Sequence, residues 1–191
     1  MLKKRIISYG IDLIIVTMIS SFLLAMFSMD NSEEFVNSYN HYINITNSYL
    51  ENEVSENEVI QAEYDMMQTS STLYITKIAV TLIYFSILPY LRNGQTIGKR
   101  ITKIKVESNN NQELNPGLMF LRGTISSLIY IDIINMIALS VASPNAWYNI
   151  TYLTSSLTYV TYIVLLQFII IRKDKRSLHD LISNTKVIEI K

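Results

Sequence analysis

Four stretches of the chain are apolar and long enough to cross a lipid bilayer, and this feature constrains the fold more than any other. They cover residues 6–28, 73–91, 118–141 and 151–171. About 20 consecutive apolar residues span a hydrocarbon core of ~30 Å. Backbone exposed to lipid must satisfy its own hydrogen bonds, so these segments are expected to be helices. The sequence therefore predicts an all-α membrane protein with four transmembrane helices.

The composition agrees with a membrane protein and excludes several kinds of site. Hydrophobic residues make up 49% of the 191 residues, charged residues make up 17%, and the mean hydropathy is +0.23. The absence of cysteine excludes zinc-thiolate and iron-sulfur sites and a thiol nucleophile. The zero formal net charge gives no indication of a nucleic-acid partner. No cofactor motif is visible, and we expect neither an enzyme nor a cofactor-dependent protein.

Basic residues lie on one side of the predicted spans. They occur before the first span, in the loop at 92–117 and in the tail at 172–191, whereas residues 29–72 and 142–150 contain none. The positive-inside rule then predicts that both termini and the 92–117 loop are cytoplasmic. Because the first span contains Asp12 and exceeds the ~7–15 apolar residues of a signal peptide, we expect it to be retained. The predicted location is a bacterial plasma membrane.

The segment at 29–72 is an acidic insertion between the first two spans. It holds nine acidic residues and no basic one. Ser55 and Glu58 fit a capping box ahead of a helix, and the aromatic residues of 35–49 recur near helical spacing. We expect an outer helical hairpin whose second helix runs into the second span. The insertion forms either an acidic vestibule that concentrates cations or a solvated cap packed on itself.

A glycine-rich motif follows the second span directly, and its residues are Gly94, Gln95, Thr96, Gly98 and Lys99. A phosphate-binding loop requires four residues between its glycines and Ser or Thr after its lysine. Here three residues separate the glycines and Arg100 follows the lysine, so a nucleotide site is excluded. We expect a tight turn, because glycine tolerates a positive φ angle. The alternative is an anion or lipid headgroup bound by Lys99 and Arg100.

Two short segments show the alternation of apolar and polar residues that is typical of β-strands. They are residues 101–106, after the glycine motif, and residues 184–191, at the end of the chain. Both lie on the predicted cytoplasmic side. We expect them to pair as a small cytoplasmic sheet, since neither is large enough to be stable alone.

Charged residues inside the spans are candidates for function, because each costs about 2.5–3.5 kcal/mol on insertion scales. Asp12 and Arg122 lie roughly 9 Å and 6 Å from the same membrane edge, at about 1.5 Å per residue. Arg5 lies two helical turns before Asp12, on the same face. We predict an inner cluster of Asp12 with Arg122 and Gln167, which Arg5 also reaches.

Similar depth arithmetic predicts an ion pair of Lys77 with Asp132 near the outer edge. Both predicted clusters have an alternative role as neutral pairs that fix how the helices pack. After the last span, His179 and Asp180 suggest proton handling, because histidine titrates near neutrality. No serine nucleophile or further histidine accompanies them on that side. We expect instead that Ser177 caps a short helix and that Asp180 meets a base such as Arg5 or Arg100.

Taken together, these residues resemble the RDD family of bacterial membrane proteins, which is named for one arginine and two aspartates. The resemblance is carried by Arg5, Asp12, "GQTIGKRITKIKV", Arg122 and "LHDLISNTKV". It implies a single domain over residues 1–191, with Arg5, Asp12 and Asp180 as the three residues of the name. It also implies a link to transport, since some members look like sodium/proton antiporters. The acidic insertion departs from the compact family pattern.

We therefore expect transport of a small cation coupled to protons, with Asp12 as the exchange site and Arg5 or Arg122 adjusting its protonation. Four helices are few for a complete carrier, so a homodimer is expected. The alternative is a non-transporting interaction or regulatory subunit that assembles with another membrane protein. The candidate residues for transport or ion pairing are Arg5, Asp12, Lys77, Arg122, Asp132 and Asp180.

Overall fold

The computed structural model describes residues 1–27, 32–110 and 112–190, which are mostly helical. The last residue of the first predicted span, Ser28, lies outside the described residues, as do the acidic residue Asp30 and the last residue, Lys191. The helices of the described chain are α1 (Leu2–Phe27), α2 (Ser32–Leu50), α3 (Glu56–Thr69), α4 (Ser71–Leu82), α5 (Leu88–Leu91), α6 (Ile97–Ile101), α7 (Pro116–Ser126), α8 (Ile129–Val141), α9 (Pro144–Ile171) and α10 (Leu178–Ile182). A π-helical segment, Ile83–Ile87, joins α4 to α5, and the strands are β1 (Ile104–Ser108) and β2 (Thr185–Glu189).

Three continuous helical stretches have the length and apolar character of membrane spans. They are Leu2–Met26, Ser71–Leu91 and Pro144–Ile171. Their outward faces carry large apolar side chains, such as Ile14 and Phe22 of α1, which are 62% and 65% exposed. Apolar surface of this extent is expected where lipid rather than water surrounds the helix. A mostly helical protein with membrane spans is thus confirmed.

The predicted span over residues 118–141 is not one continuous helix. This segment forms α7 and α8, which meet at an angle of 76°. Leu128, between them, has a left-handed backbone with φ of 57°. The hydroxyls of Ser126 and Ser127 both donate to the carbonyl of Gly123, at 3.2 and 2.8 Å, in competition with the helical backbone bonds. Apolar composition alone does not distinguish such a break from a continuous helix.

The predicted strand pair is present. β1 and β2 are antiparallel, with Ile104 opposite Glu189 and Ser108 opposite Thr185. The buried residues of this sheet pack against Met119 of α7. We refer to α6, β1, α10 and β2 as the cap, because α6 packs against α1 and α10 packs against α7 and α9. The cap therefore closes one end of the helical bundle.

The glycine motif makes the turn that leads into the cap. Gly94 has a φ of +86°, as the sequence predicts. Its N–H donates to the carbonyl of Pro89 at 2.6 Å, and its carbonyl accepts from the N–H of Val106 at 2.9 Å. A Cβ atom at Gly94 would collide with the backbone of Val106. The turn thereby fixes β1 against the end of the second span.

The acidic insertion forms the predicted pair of helices, α2 and α3, and α4 begins two residues after α3 ends. α3 packs against α8 and α9. The ring of Tyr64 contacts Trp147 edge to face, with centroids 5.6 Å apart. The hydroxyl of Tyr64 lies 3.0 Å from the carbonyl of Leu139 and 3.1 Å from that of Ala142. These contacts tie the insertion to the end of the bundle opposite the cap.

We expect Gly94→Ala to lower the free energy of unfolding by about 1–3 kcal/mol, because alanine is strained at a positive φ angle. Thermal unfolding in detergent micelles measures the effect. The matched control is Gly10→Ala in α1, where an added Cβ has nothing within 4 Å. Equal melting temperatures for the two variants would contradict the role assigned to this turn.

Candidate functional site

Asp180 is the centre of an ion-pair network where α1, α7 and α10 meet. Its side chain is fully buried, with 0% exposure. Oδ2 accepts from Nη1 of Arg5 at 3.0 Å, and Oδ1 accepts from Nη2 of Arg122 at 2.7 Å. One carboxylate from the tail thus pairs with guanidinium groups from two different apolar segments.

The start of α10 positions Asp180. Ser177 is its N-cap and forms a capping box, in which the N–H of Ser177 donates to Oδ2 of Asp180 at 3.1 Å. Arg176 braces the same turn by donating to the carbonyls of Thr185 and Asp180. The expected cap by Ser177 and the contact of Asp180 with Arg5 are therefore present. Arg100, the other candidate base, is exposed.

The charges of this network also determine the protonation states of Asp180 and His179 in α10. Burial by itself raises the pKa of the Asp180 carboxyl, but the nearby Arg122 and Arg5 oppose this and hold the pKa well below its usual range. Burial, together with the charge of Arg122, lowers the pKa of His179 to about 3. At neutral pH the pair therefore consists of an ionised carboxylate and an uncharged imidazole.

Asp12 occupies a separate polar site, where no cation of the described residues is hydrogen-bonded to it. It is 1% exposed. Its Oδ1 accepts from the hydroxyl of Tyr84 at 2.6 Å and from the N–H of Gly98 at 2.7 Å, and its Oδ2 accepts from the hydroxyl of Thr96 at 2.6 Å. Three uncharged donors therefore satisfy a carboxylate buried in the first span.

The glycine motif supplies two of these three donors. Thr96 is the N-cap of α6 and places its hydroxyl against Asp12. Glycine is required at position 98, because an added Cβ would lie 2.7 Å from Oδ1 of Asp12. Gln95 donates to the carbonyl of the first residue of β1 at 3.1 Å. The sequence predicted the turn made by this motif, but it gave no indication that the motif binds Asp12.

The predicted contact between Asp12 and Arg122 is absent among the described residues. Arg122 and Arg5 both turn to Asp180 instead, and Gln167 is exposed and does not join the cluster. The depth of a residue along its helix shows which side chains lie at the same level in the membrane, but it does not show in which direction each side chain points. Both arginines pair with Asp180 of the tail rather than with Asp12. Asp12 and Arg122 nevertheless face the same cavity.

The predicted pair of Lys77 with Asp132 is present at the other end of the bundle. Nζ of Lys77 lies 2.9 Å from Oδ1 of Asp132. One turn further along α8, Asn135 accepts a hydrogen bond from the hydroxyl of Thr154 at 2.7 Å. These contacts join α4 to α8 and α8 to α9. A role for Lys77 and Asp132 in ion movement stays a prediction.

A cavity of about 260 Å³, here called the inner cavity, lies between the cap and the bundle. The polar side chains in its wall include Arg5, Ser8, Asp12, Lys99, Arg122 and His179. Its apolar side chains include Leu165 and Ile169 of α9. The inner cavity therefore brings together Arg5 and Asp12, two of the residues that carry the family resemblance, and the lysine of the glycine motif.

A second cavity of about 600 Å³, the outer cavity, continues along the bundle. Its polar lining includes Thr17, Ser20, Lys77, Thr81, Asp132 and Thr158. Along α1, the lining of the inner cavity runs from Leu2 to Asp12 and that of the outer cavity from Leu13 to Leu24. Phe85 and Tyr162 line both cavities. The two cavities thus lie at successive depths, on either side of these two rings.

The fold and the site together define a helical membrane protein with a buried arginine–aspartate network under a small capping sheet. A family model described as RDD family matches residues 1–184, and the chain belongs to the RDD family. The chain is also similar to the protein YckC of Bacillus subtilis (strain 168), which is described as uncharacterized. The two are 31% identical over 108 residues, which cover 56% of this chain and 56% of the relative. No solved structure gives a significant match.

We expect Asp180→Asn to lower the free energy of unfolding by about 3–5 kcal/mol, because it leaves two buried guanidinium groups without a counter-charge. Since the folded state depresses the pKa of Asp180, its contribution is complete above the ordinary carboxyl pKa of about 3.9 and is lost at lower pH. Unfolding in detergent micelles as a function of pH measures both effects.

The matched control for this prediction is Asp174→Asn. Asp174 also pairs with an arginine of the tail, Arg172, but both side chains are 40% exposed. Its removal is expected to change stability little, as for other exposed ion pairs. Equal effects of the two substitutions would contradict the central role of Asp180.

Proposed function

We propose that the protein transports a small ion across the membrane together with protons. The observation that carries the proposal is the arrangement of the two cavities at successive depths, divided by Phe85 and Tyr162. Carriers place their binding site near the middle of the membrane, between parts that move relative to one another. A shift of these two rings would connect the inner cavity with the outer one.

Irregular helices beside this division support the proposal. Phe85 belongs to the π-helical segment, and π-helical turns are frequent at functional sites. This segment packs against α7, the first half of the broken span, where the hydroxyl of Ser86 lies 3.4 Å from the carbonyl of Phe120. Discontinuous helices line the binding sites of many carriers. The two distorted segments are therefore in contact next to the rings that separate the cavities.

Lys99 is the group we assign to proton exchange. It lies in α6, outside the spans, where burial lowers its pKa to about 7. The charged and titratable groups that face it are Arg5 and Asp12 of α1, Arg122 of α7, and His179 and Asp180 of α10. Lys99 is thus charged below neutral pH and uncharged above it. We place the cap on the cytoplasmic side of a bacterial plasma membrane, because segments rich in basic residues favour that side.

Asp12 is less suited to exchange than the sequence alone suggests. A cation bound at Asp12 would compete with three hydrogen bonds to uncharged donors. It would also approach the cations Arg5, Lys99 and Arg122 across the inner cavity. These charges oppose a small cation at this position. We therefore assign Asp12 to holding the cap on α1.

The test measures proton flux into liposomes that contain the purified protein and across which a pH gradient is imposed. The flux is compared in a series of salts that supply sodium, chloride or phosphate as the candidate ion. Wild type is expected to dissipate the gradient in the presence of one of these ions. Lys99→Met is expected to slow this by about tenfold or more, which corresponds to ~1.4 kcal/mol. The control is Lys103→Met, an exposed lysine in the turn that follows α6. Flux no faster than in empty liposomes would rule out transport.

A second candidate function, an interaction or regulatory subunit, is favoured by α2. This helix packs against α3 and leaves an apolar stripe exposed, formed by Val36, Tyr39, Ile43 and Leu50. Their spacing puts them on one helix face. The expected partner is a second copy or another membrane protein. If assembly is the function, Val36→Asp with Ile43→Asp abolishes a dimer seen by cross-linking in liposomes, and wild type shows no flux. A wild-type monomer with flux contradicts this candidate.

A further inference from the structure

The charges around the inner cavity do not balance. The cations in its wall are Arg5, Lys99 and Arg122. Among the described residues they face two carboxylates, Asp12 in the wall and Asp180 behind the arginines. His179 adds no charge at neutral pH, because its pKa is about 3. One positive charge remains when Lys99 is protonated, and a low-dielectric cavity with this excess attracts an anion.

The oxygens of both carboxylates are already occupied. Asp12 accepts from Tyr84, Thr96 and Gly98. Asp180 accepts from two guanidinium groups and from the backbone of α10. Neither carboxylate has to turn into the inner cavity to be satisfied. An incoming anion therefore meets the cations without displacing an acid.

Four buried polar atoms in the wall have no hydrogen-bond partner in the described part of the chain. They are Nε of Arg5, the hydroxyls of Ser8 and Tyr9, and Nδ1 of His179. Ser8 is 2% exposed. Nearly all buried polar groups in proteins are hydrogen-bonded, to protein, water or ligand. Unpartnered donors such as Nε of Arg5 and the hydroxyl of Ser8, beside an excess of positive charge, indicate a ligand with several acceptor oxygens.

The remaining wall accommodates an apolar substituent. Leu2 and Ile6 of α1 and Leu165 and Ile169 of α9 also line the inner cavity. Ile6 is 54% exposed, on the outward surface of α1. The cavity thus has a charged inner part and an apolar side near the outward face of the first span. An anion with or without an attached chain fits this shape.

We propose that the inner cavity binds a phosphate group, carried either by inorganic phosphate or by a lipid headgroup. Nε of Arg5, the ammonium group of Lys99 and the hydroxyl of Ser8 donate to its oxygens, and Arg122 contributes charge. A phosphate group accepts several charge-assisted hydrogen bonds at once, which suits this set of donors. The inference rests on the proposed function only for the claim that the bound group is also transported.

The charge of Lys99 makes the binding pH-dependent. Its pKa of about 7 means that the third cation is lost as the pH rises through neutrality. The charged and titratable groups that face Lys99 are Arg5, Asp12, Arg122, His179 and Asp180. Affinity for an anion of fixed charge is therefore expected to fall above pH about 7.

The experiment uses the full chain in phosphatidylcholine nanodiscs and two matched pairs of variants. Ser8→Ala removes a donor that has no partner among the described residues, so the fold is expected to be preserved. Its control is Ser20→Ala, because Ser20 is also buried on α1, its hydroxyl likewise has no partner in that part of the chain, and it lines the outer cavity. Lys99→Met is paired with Lys103→Met. Thermal unfolding confirms that all four variants are folded.

Two probes separate the sources of the phosphate group, and sulfate serves as a competitor. Radiolabelled inorganic phosphate measures binding of the free anion at equilibrium. Native mass spectrometry, with phosphatidylglycerol mixed into the nanodiscs, measures binding of an anionic headgroup relative to phosphatidylcholine. Sulfate, whose charge does not change between pH 6 and 8, competes with either probe and reports the titration of Lys99. Ser8→Ala and Lys99→Met are each expected to weaken binding by about tenfold or more, and Lys99→Met to remove the pH dependence.

The outcomes are distinct. Binding of either probe that both variants weaken and both controls preserve supports the site, and the probe that binds identifies the source. No binding of either probe, or equal binding by wild type, Ser8→Ala and Lys99→Met, overturns the inference. Binding without flux in liposomes retains the phosphate site and rejects transport. Flux without binding of either probe retains transport and rejects the phosphate site.

Discussion

The shared carboxylate of Asp180 is the interaction on which the inner end of the molecule depends. Guanidinium groups in apolar segments are costly unless paired, and Arg5 and Arg122 enter from two different helices. A single buried acid between them neutralises one charge and holds α1, α7 and α10 at a fixed separation. The same arrangement leaves the site with more positive than negative charge. Stability and anion attraction therefore have one origin.

Asp12 performs a complementary task by holding the cap. Its three neutral donors come from the second span and from the glycine motif, so α1 is joined to α6 without an ion pair. The cap in turn supplies Lys99 and His179 to the wall of the inner cavity. The two aspartates thus have different roles. Asp180 balances charge between the spans, and Asp12 positions the cap, which completes the inner cavity.

Much of this architecture could be predicted from the sequence, because long apolar runs, alternating strands and helix caps depend on local chemistry. Residue type and spacing alone predicted the turn at Gly94, the helix N-cap at Ser177 and the ion pair of Lys77 with Asp132. The partner of Asp12 could not be predicted in this way, since it depends on which way a side chain points across a packed interface. The bend at Leu128 also escaped prediction, because the two helices on either side of it together have the apolar composition of one span.

The long separation along the chain between Arg5 and its counter-charge has a consequence for biosynthesis. These residues are 175 positions apart, and Glu189 likewise contacts the amino terminus and Lys4. Loop closure over such a distance is entropically costly and comes late in folding. Until the tail has been synthesised, the arginine of the first helix therefore lacks the counter-charge that Asp180 supplies.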